Sequence, residues 1–172
     1  NNGFKTLTCY IKKIRTYKNF PIKGINYLDL NGIYLDNSSR DHLVEDCIKT
    51  IHPYLESFDY FGLIEARGFL IGSILADRLN KGIVQLRNKL GRLPGETKKI
   101  DHELEYGKAQ LEAQTGSGSI LIFDDVLATG GTSQGAVDLL TEAGYSPIGA
   151  LFLIEIRSLK PKLSVDYQSV IK

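Results

Sequence analysis

An α/β fold built on a parallel sheet follows from two features of this 172-residue chain. From residue 61 onward, short unbroken apolar runs alternate with segments of helical periodicity, and polar clusters stand at the ends of those runs. Strands that read as continuous apolar runs are buried on both faces, as in a parallel sheet covered by helices. Ligands of such sheets collect at the carboxyl ends of the strands. A chain of this length suits a single domain over 1–172, with an N-terminal segment over 1–37 and a core over 38–156.

The elements follow in order. Phe4, Leu7, Tyr10, Ile11 and Ile14 recur at helical spacing, which predicts a helix over 4–16. Residues 19–37 hold Pro21, Gly24 and Gly32 among short apolar pieces, an irregular or hairpin-like segment. A second helix is expected over 39–55, capped by Ser38 or Ser39, with Val44, Ile48 and Ile51 on one face. Phe61 to Ile64 reads as a strand, 69–79 as a helix and 82–86 as a second strand. Residues 88–104 are polar, with Gly91, Pro94 and Gly95, and read as a long mobile loop continuing to 106. After a turn at 115–119 come the buried strand Ile120 to Phe123, a Gly-rich turn, a helix over 133–143 ended by Gly144, and a strand over 148–156. Residues 157–172 are expected to pack on the surface.

Composition narrows the function classes. Apolar residues make up 42%, charged residues 24%, and the formal net charge is +1. A chain so balanced has no overall basic field for nucleic acid, so any anion site must be local. Cys9 and Cys47 lack metal-ligand spacing and read as free thiols of a reducing compartment. No apolar run approaches the roughly 20 residues of a membrane span and no signal peptide is visible, so a cytoplasmic protein is expected.

The richest stretch is Asp124-Asp125-Val126-Leu127-Ala128-Thr129-Gly130-Gly131-Thr132. A buried strand delivers two carboxylates, and a small-residue turn leads into a helix. Gly130 and Gly131 let backbone approach a ligand, Thr129 and Thr132 add hydroxyls, and the helix N-terminus favours negative charge. The glycines alone would equally suit an ordinary strand-to-helix turn. The lysine and spacing of a nucleotide-triphosphate loop are absent. Two carboxylates would repel a phosphate but suit hydroxyls, so a ribose 5-phosphate unit meets both demands.

This string resembles the 5-phosphoribosyl-1-pyrophosphate (PRPP) motif of the type I phosphoribosyltransferases. The resemblance implies that family's parallel-sheet core, with an N-terminal hood over 1–37 and a flexible catalytic loop over 88–106. It implies that Ala128 to Thr132 hold the 5-phosphate, and that Asp124 and Asp125 hold the ribose hydroxyls. Glu65-Ala66-Arg67-Gly68-Phe69, the segment Leu86 to Gly95 and Leu104-Glu105-Tyr106-Gly107 are similar to the adenine phosphoribosyltransferases in particular. Ala66, Arg67, Arg87, Lys89 and Arg92 would then meet the pyrophosphate, Arg67 with a fork of donors. Catalytic roles fall on Glu105, Tyr106 and Arg67, and the resemblance implies a strained peptide near Glu65-Ala66 with its N–H aimed at the pyrophosphate. Pro21 to Asp29 resembles the hood motif: Tyr27 would stack on adenine, Asn26 and Leu28 would read its edge through backbone groups, and Ile156 would cover its other face. Leu28 stands where the family has arginine, Asn26 where it has an apolar residue, Asn88 where the loop is usually basic, and Arg92 where lysine is usual.

The resemblance implies Mg²⁺ carried by PRPP without direct protein ligands, AMP and pyrophosphate as products, and a homodimer with Arg87 reaching the partner's site. Two other readings stay open. One is a transferase for hypoxanthine, guanine or xanthine; the other is a PRPP-sensing regulator, although no basic recognition helix precedes the core.

Overall fold

A computed structural model describes residues 9–104 and 107–172, with the side chains at 102–109 outside the described set. The described residues fall into two compact units that meet in sequence at Lys49/Thr50.

In the first unit, residues 9–11 are helical, and a turn at Lys12 and Lys13 ends the helix. The predicted helix over 4–16 is therefore too long at its C-terminal end. Arg15 and Thr16 instead open strand β1 (Arg15–Lys18), which pairs antiparallel with β2 (Asn26–Asp29). The hairpin-like reading of 19–37 holds for this ribbon. The short helix α1 (Asn31–Tyr34) follows, then α2 (Asn37–Ile51). The start of α2 corrects the expected cap. Asp36 is the residue before the helix; its Oδ2 accepts the Ser39 N–H at 3.2 Å and the Ser39 hydroxyl at 2.5 Å, while Ser39 is buried inside the first turn. Lys13 also donates to this carboxylate. With the Lys13 bond first and the Ser39 bond second, Asp36 is held down at about 2. The helix stops at Ile51 rather than 55, and a 3₁₀ turn over His52–Ser57 carries Pro53 in its opening positions.

The second unit is a five-stranded, wholly parallel sheet in the order β4-β3-β7-β8-β9: β3 (Tyr60–Ile64), β4 (Gly82–Leu86), β7 (Gly118–Leu127), β8 (Tyr145–Glu155) and β9 (Tyr167–Ile171). Helices α3 (Gly68–Leu79) and α4 (Gly131–Glu142) cover opposite faces. A Cβ placed on Gly72 of α3 would touch Leu63, whereas one on the neighbouring Gly62 would touch Leu140 of α4, and adjacent strand residues point to opposite faces. Phe61, Leu63, Ile120, Ile122, Phe123, Leu151, Phe152 and Leu153 are each at most 1% exposed. Burial of each such side chain contributes about 1.5–3 kcal/mol before entropy is counted. That sheet is the expected parallel core covered on both faces.

Two segments differ from their sequence reading. Residues 97–104 are a strand and not loop: β5 (Thr97–Leu104) pairs antiparallel with β6 (Gly107–Gln114), register Ile100 to Leu111. Leu111 and Ala113 are buried, and α4 packs against the hairpin. Only Ile100 and Leu104 are apolar in β5, too few to display a strand's alternation. The C-terminal stretch is also more than a surface tail, because β9 adds an edge strand beside β8 and buries Ser169. Among the described residues, no helix is long and apolar enough to cross a membrane. Cys47 is buried and Cys9 exposed, and both are free thiols.

Candidate active site

The carboxyl ends of β3, β4 and β7 bring three of the predicted segments together. Strand β7 runs through Asp124 and Asp125 to Leu127, four residues beyond the apolar run that marked it. Asp125 is buried, with its side chain 3% exposed, and Arg67 Nε lies 2.9 Å from its Oδ2. Arg67 immediately precedes α3, so the pair ties the end of β7 to the start of that helix. Asp124 Oδ1 accepts the Asp125 N–H at 2.9 Å. Removal from solvent, then the neighbouring Asp125 charge, pushes the Asp124 carboxyl well above the usual range. Gly68 sits against it, since a Cβ there would lie 3.2 Å from Asp124 Oδ1.

After β7 the chain bends through Ala128 to Gly130 and enters α4 at Gly131, so the helix opens two residues earlier than expected. Gly130 has φ +97, the left-handed region that excludes most side chains. Its missing Cβ would stand 2.3 Å from the carbonyl oxygen of Lys162. The chain after β8 braces this turn: Lys162 N–H donates to the Thr129 carbonyl at 3.2 Å, and Gln134 exchanges bonds of 2.9 and 2.8 Å with Ser164. Sequence reading missed that brace, because nothing local to 160–164 announces a partner at residue 129.

Ile64 and Leu86 pair at the ends of β3 and β4, which brings the segments that follow them together. The Glu65–Ala66 peptide is cis. The Glu65 carboxylate accepts the Arg87 Nε–H at 3.0 Å and the Asn88 N–H at 2.8 Å. The Arg87 hydrogen bond is the main reason that the Glu65 carboxyl lies below its usual range. Arg87 is thus engaged within its own chain. A cleft of about 350 Å³ is lined by Glu65, Asn88, Lys89, Gln110 and Thr132 among others. Lys89 of the loop and Thr132 of the glycine turn, 43 positions apart in sequence, therefore face one cavity. Arg92 is exposed on the same loop outside that lining. Gln110 is a lining residue that sequence reading did not single out. Glu105 and Tyr106 lie outside the described residues.

In the first unit, a separate groove of about 280 Å³ is walled by Tyr17, Phe20, Tyr27, Asp29 and Asn31. Tyr27 stands opposite Tyr17 in the ribbon, and its ring meets Phe20 edge-on at 5.2 Å. Asn26 is exposed, Leu28 half-buried, and Ile156 follows β8 with its N–H on the Leu127 carbonyl at 2.9 Å.

A parallel sheet with a glycine turn, an acidic pair and a basic loop at its carboxyl edge defines a phosphoribosyltransferase site. The phosphoribosyl transferase domain family matches residues 35–171. An adenine phosphoribosyltransferase of Nitrosopumilus maritimus is 40% identical over 93% of this chain and 96% of its own length. The crystal structure of adenine phosphoribosyltransferase from Thermoanaerobacter pseudethanolicus superposes with TM-score 0.86 at 36% identity, covering 96% of this chain and 99% of that one. That of Saccharomyces cerevisiae, complexed with an imino-altritol bisphosphate and adenine, does so with TM-score 0.88 at 29% identity over 97% and 99%. The chain belongs to the phosphoribosyltransferases and, within them, to the adenine phosphoribosyltransferase family.

Proposed function

We propose that this protein joins adenine to PRPP, giving AMP and pyrophosphate. The observation that carries the reading is the cleft shared by Lys89, Glu65 and Thr132, together with the Arg67–Asp125 pair at the strand ends. The yeast relative complexed with adenine supports the choice of base.

In this reading the turn over Ala128–Thr132 takes the 5-phosphate on its N–H groups and hydroxyls. Asp124 and Asp125 accept the ribose hydroxyls. Arg67, Lys89 and Arg92, with the Ala66 N–H, take the pyrophosphate as negative charge builds on it. Arg87 joins them once it is released from Glu65. Displacement at the anomeric carbon develops positive charge on the sugar, so the protein contributes charge placement and geometry above all. Glu105 manages the purine proton or faces the sugar cation, and Tyr106 closes with it over the site to exclude water. Asn26, Tyr27 and Leu28 hold the base, with Ile156 as an apolar contact.

Mg²⁺ suits this donor set. Asp124 and Asp125 offer oxygen donors alone, the ligand type Mg²⁺ prefers, and through the ribose hydroxyls of PRPP they suit an ion that the substrate carries. Bound with PRPP, the ion would supply positive charge to offset the charge that builds on the pyrophosphate. The same reading takes the protein to be a cytoplasmic homodimer; a fully active monomer by light scattering would remove the dimer.

The test is to supply PRPP, Mg²⁺ and each of adenine, hypoxanthine, guanine and xanthine, and to follow nucleotide and pyrophosphate. AMP from adenine alone is expected. Turnover of another base instead would keep the PRPP site and overturn the base assignment at Asn26 to Leu28.

A further inference from the structure

Glu112 is a carboxylate with no exposed surface, held in β6 between buried Leu111 and Ala113. An ionised carboxylate so placed must be paired, because leaving it alone in the interior is costly. Its partners are all on the pyrophosphate loop or beside it. Oε2 accepts the Gly91 N–H at 2.7 Å, Oε1 accepts the Leu93 N–H at 3.2 Å, and Lys99 Nζ stands 3.9 Å away. The Glu112 backbone also exchanges both hydrogen bonds with Arg87, each 2.9 Å. One residue thus fixes positions 87, 91 and 93, while Glu65 fixes Asn88 between them. Bonds to an ionised acceptor are roughly twice as strong as neutral ones, so this side chain dominates the set.

Two of the loop's three cations sit inside the fixed span. Lys89 lies between Asn88 and Gly91, and Arg92 lies between Gly91 and Leu93. Glu112 does not line the cleft.

We propose that Glu112 is a positioning residue for PRPP: it holds the 87–93 segment so that Lys89 and Arg92 meet the pyrophosphate, without touching it. The proposal rests on the pyrophosphate reading of Lys89 and Arg92 given above. It predicts a defect confined to PRPP, since the groove containing Tyr27 belongs to other residues.

The test compares full-length wild type, Glu112→Gln and Lys89→Ala. PRPP affinity is read by calorimetry, the KM for each substrate by steady-state kinetics, and exchange at the Gly91 and Leu93 amides by NMR. In Glu112→Gln one acceptor oxygen becomes a donor facing an N–H. Exchange at both amides should accelerate, and the PRPP Kd should rise roughly tenfold, the scale of a lost charge-assisted bond. The adenine KM should stay within about twofold of wild type, whereas a general loss of structure would move both. If Lys89→Ala weakens PRPP and Glu112→Gln does not, the proposal is overturned and the pyrophosphate reading stands. If neither variant weakens PRPP, the pyrophosphate reading itself has failed and takes the proposal with it. Should Glu112→Gln not fold, Leu93→Pro deletes one donor from the loop side; an unchanged PRPP Kd there also overturns the proposal.

Discussion

Arg67 Nε lies 2.9 Å from Asp125 Oδ2, with the arginine side chain 42% exposed and the aspartate 3% exposed. The asymmetry divides the labour of the pair. Asp125 depends on Arg67 for its compensating charge, whereas Arg67 keeps much of its surface toward solvent. Arg67→Ala should therefore damage both fold and reaction. Stability should fall by about 1–3 kcal/mol, the low end reflecting the solvated arginine. kcat/KM should fall on the order of 10²-fold as a donor to developing charge is lost. Adding Asp125→Asn to Arg67→Ala removes the stranded charge and should restore part of the melting temperature but none of the rate. A double mutant as unstable as the single one would show that the pair carries no coupling.

Asp124 gives a pH signature. Its folded-state value is raised from an ordinary 3.8, so the native state holds a proton that the unfolded chain has released. That contribution is fully present below 3.8 and is lost as pH rises through the folded value. At neutral pH the ionised form is a liability to the fold. Asp124→Asn, which keeps an acceptor for the Asp125 N–H, should raise the melting temperature at pH 7 by a few degrees, roughly 1 kcal/mol. The gain should vanish near pH 4, while activity drops through loss of a hydroxyl acceptor. Thermal melts from pH 4 to 8 decide it; a gain independent of pH would mean that Asp124 does not titrate as described.

The glutamate of Leu104-Glu105-Tyr106-Gly107 carries the chemical step in the proposed reaction. Glu105→Gln should lower kcat on the order of 10²-fold with small change in the PRPP KM. Wild-type kcat would strip Glu105 of that role.

What could be read from the sequence followed the strength of local signals. Strands β3 and β7 announced themselves as apolar runs, and Asp124 to Thr132 combined carboxylates, glycines and hydroxyls within nine positions. The sequence reading of β4 coincided with the structure at both ends, 82–86. Features made by distant partners stayed hidden. Ser38 and Ser39 looked like helix caps, but Asp36 outcompetes them because a carboxylate that also meets Lys13 is the stronger acceptor. Hairpin β5–β6 is polar along β5 and owes its place to Leu111 and Ala113 on the other strand. Glu112 carries no local signal of its role, and only the fold brings its carboxylate to the Gly91 and Leu93 N–H groups. Ser164 and Lys162 support Gln134 and Thr129 from about 30 residues away, beyond the reach of periodicity.

Gly24 and Gly130 share a left-handed φ and differ in surroundings. Gly24 has φ +93 and nothing within 4 Å of an added Cβ; Gly130 has φ +97 and the Lys162 carbonyl at 2.3 Å. Gly24→Ala should cost only the left-handed backbone term, about 1–2 kcal/mol. Gly130→Ala adds an overlap with a backbone oxygen that cannot swing aside as a flexible side chain would, and should cost roughly 2–4 kcal/mol in total. The Lys162 segment must retreat to make room, which breaks its bond to the Thr129 carbonyl and loosens the turn. The PRPP KM of Gly130→Ala should therefore rise at least tenfold. Chemical denaturation of both variants, with PRPP titrations of Gly130→Ala, separates the two effects. Equal destabilisation of the two variants would show that the tail does not brace the turn. Unchanged PRPP affinity in Gly130→Ala would move the 5-phosphate away from Ala128 to Thr132.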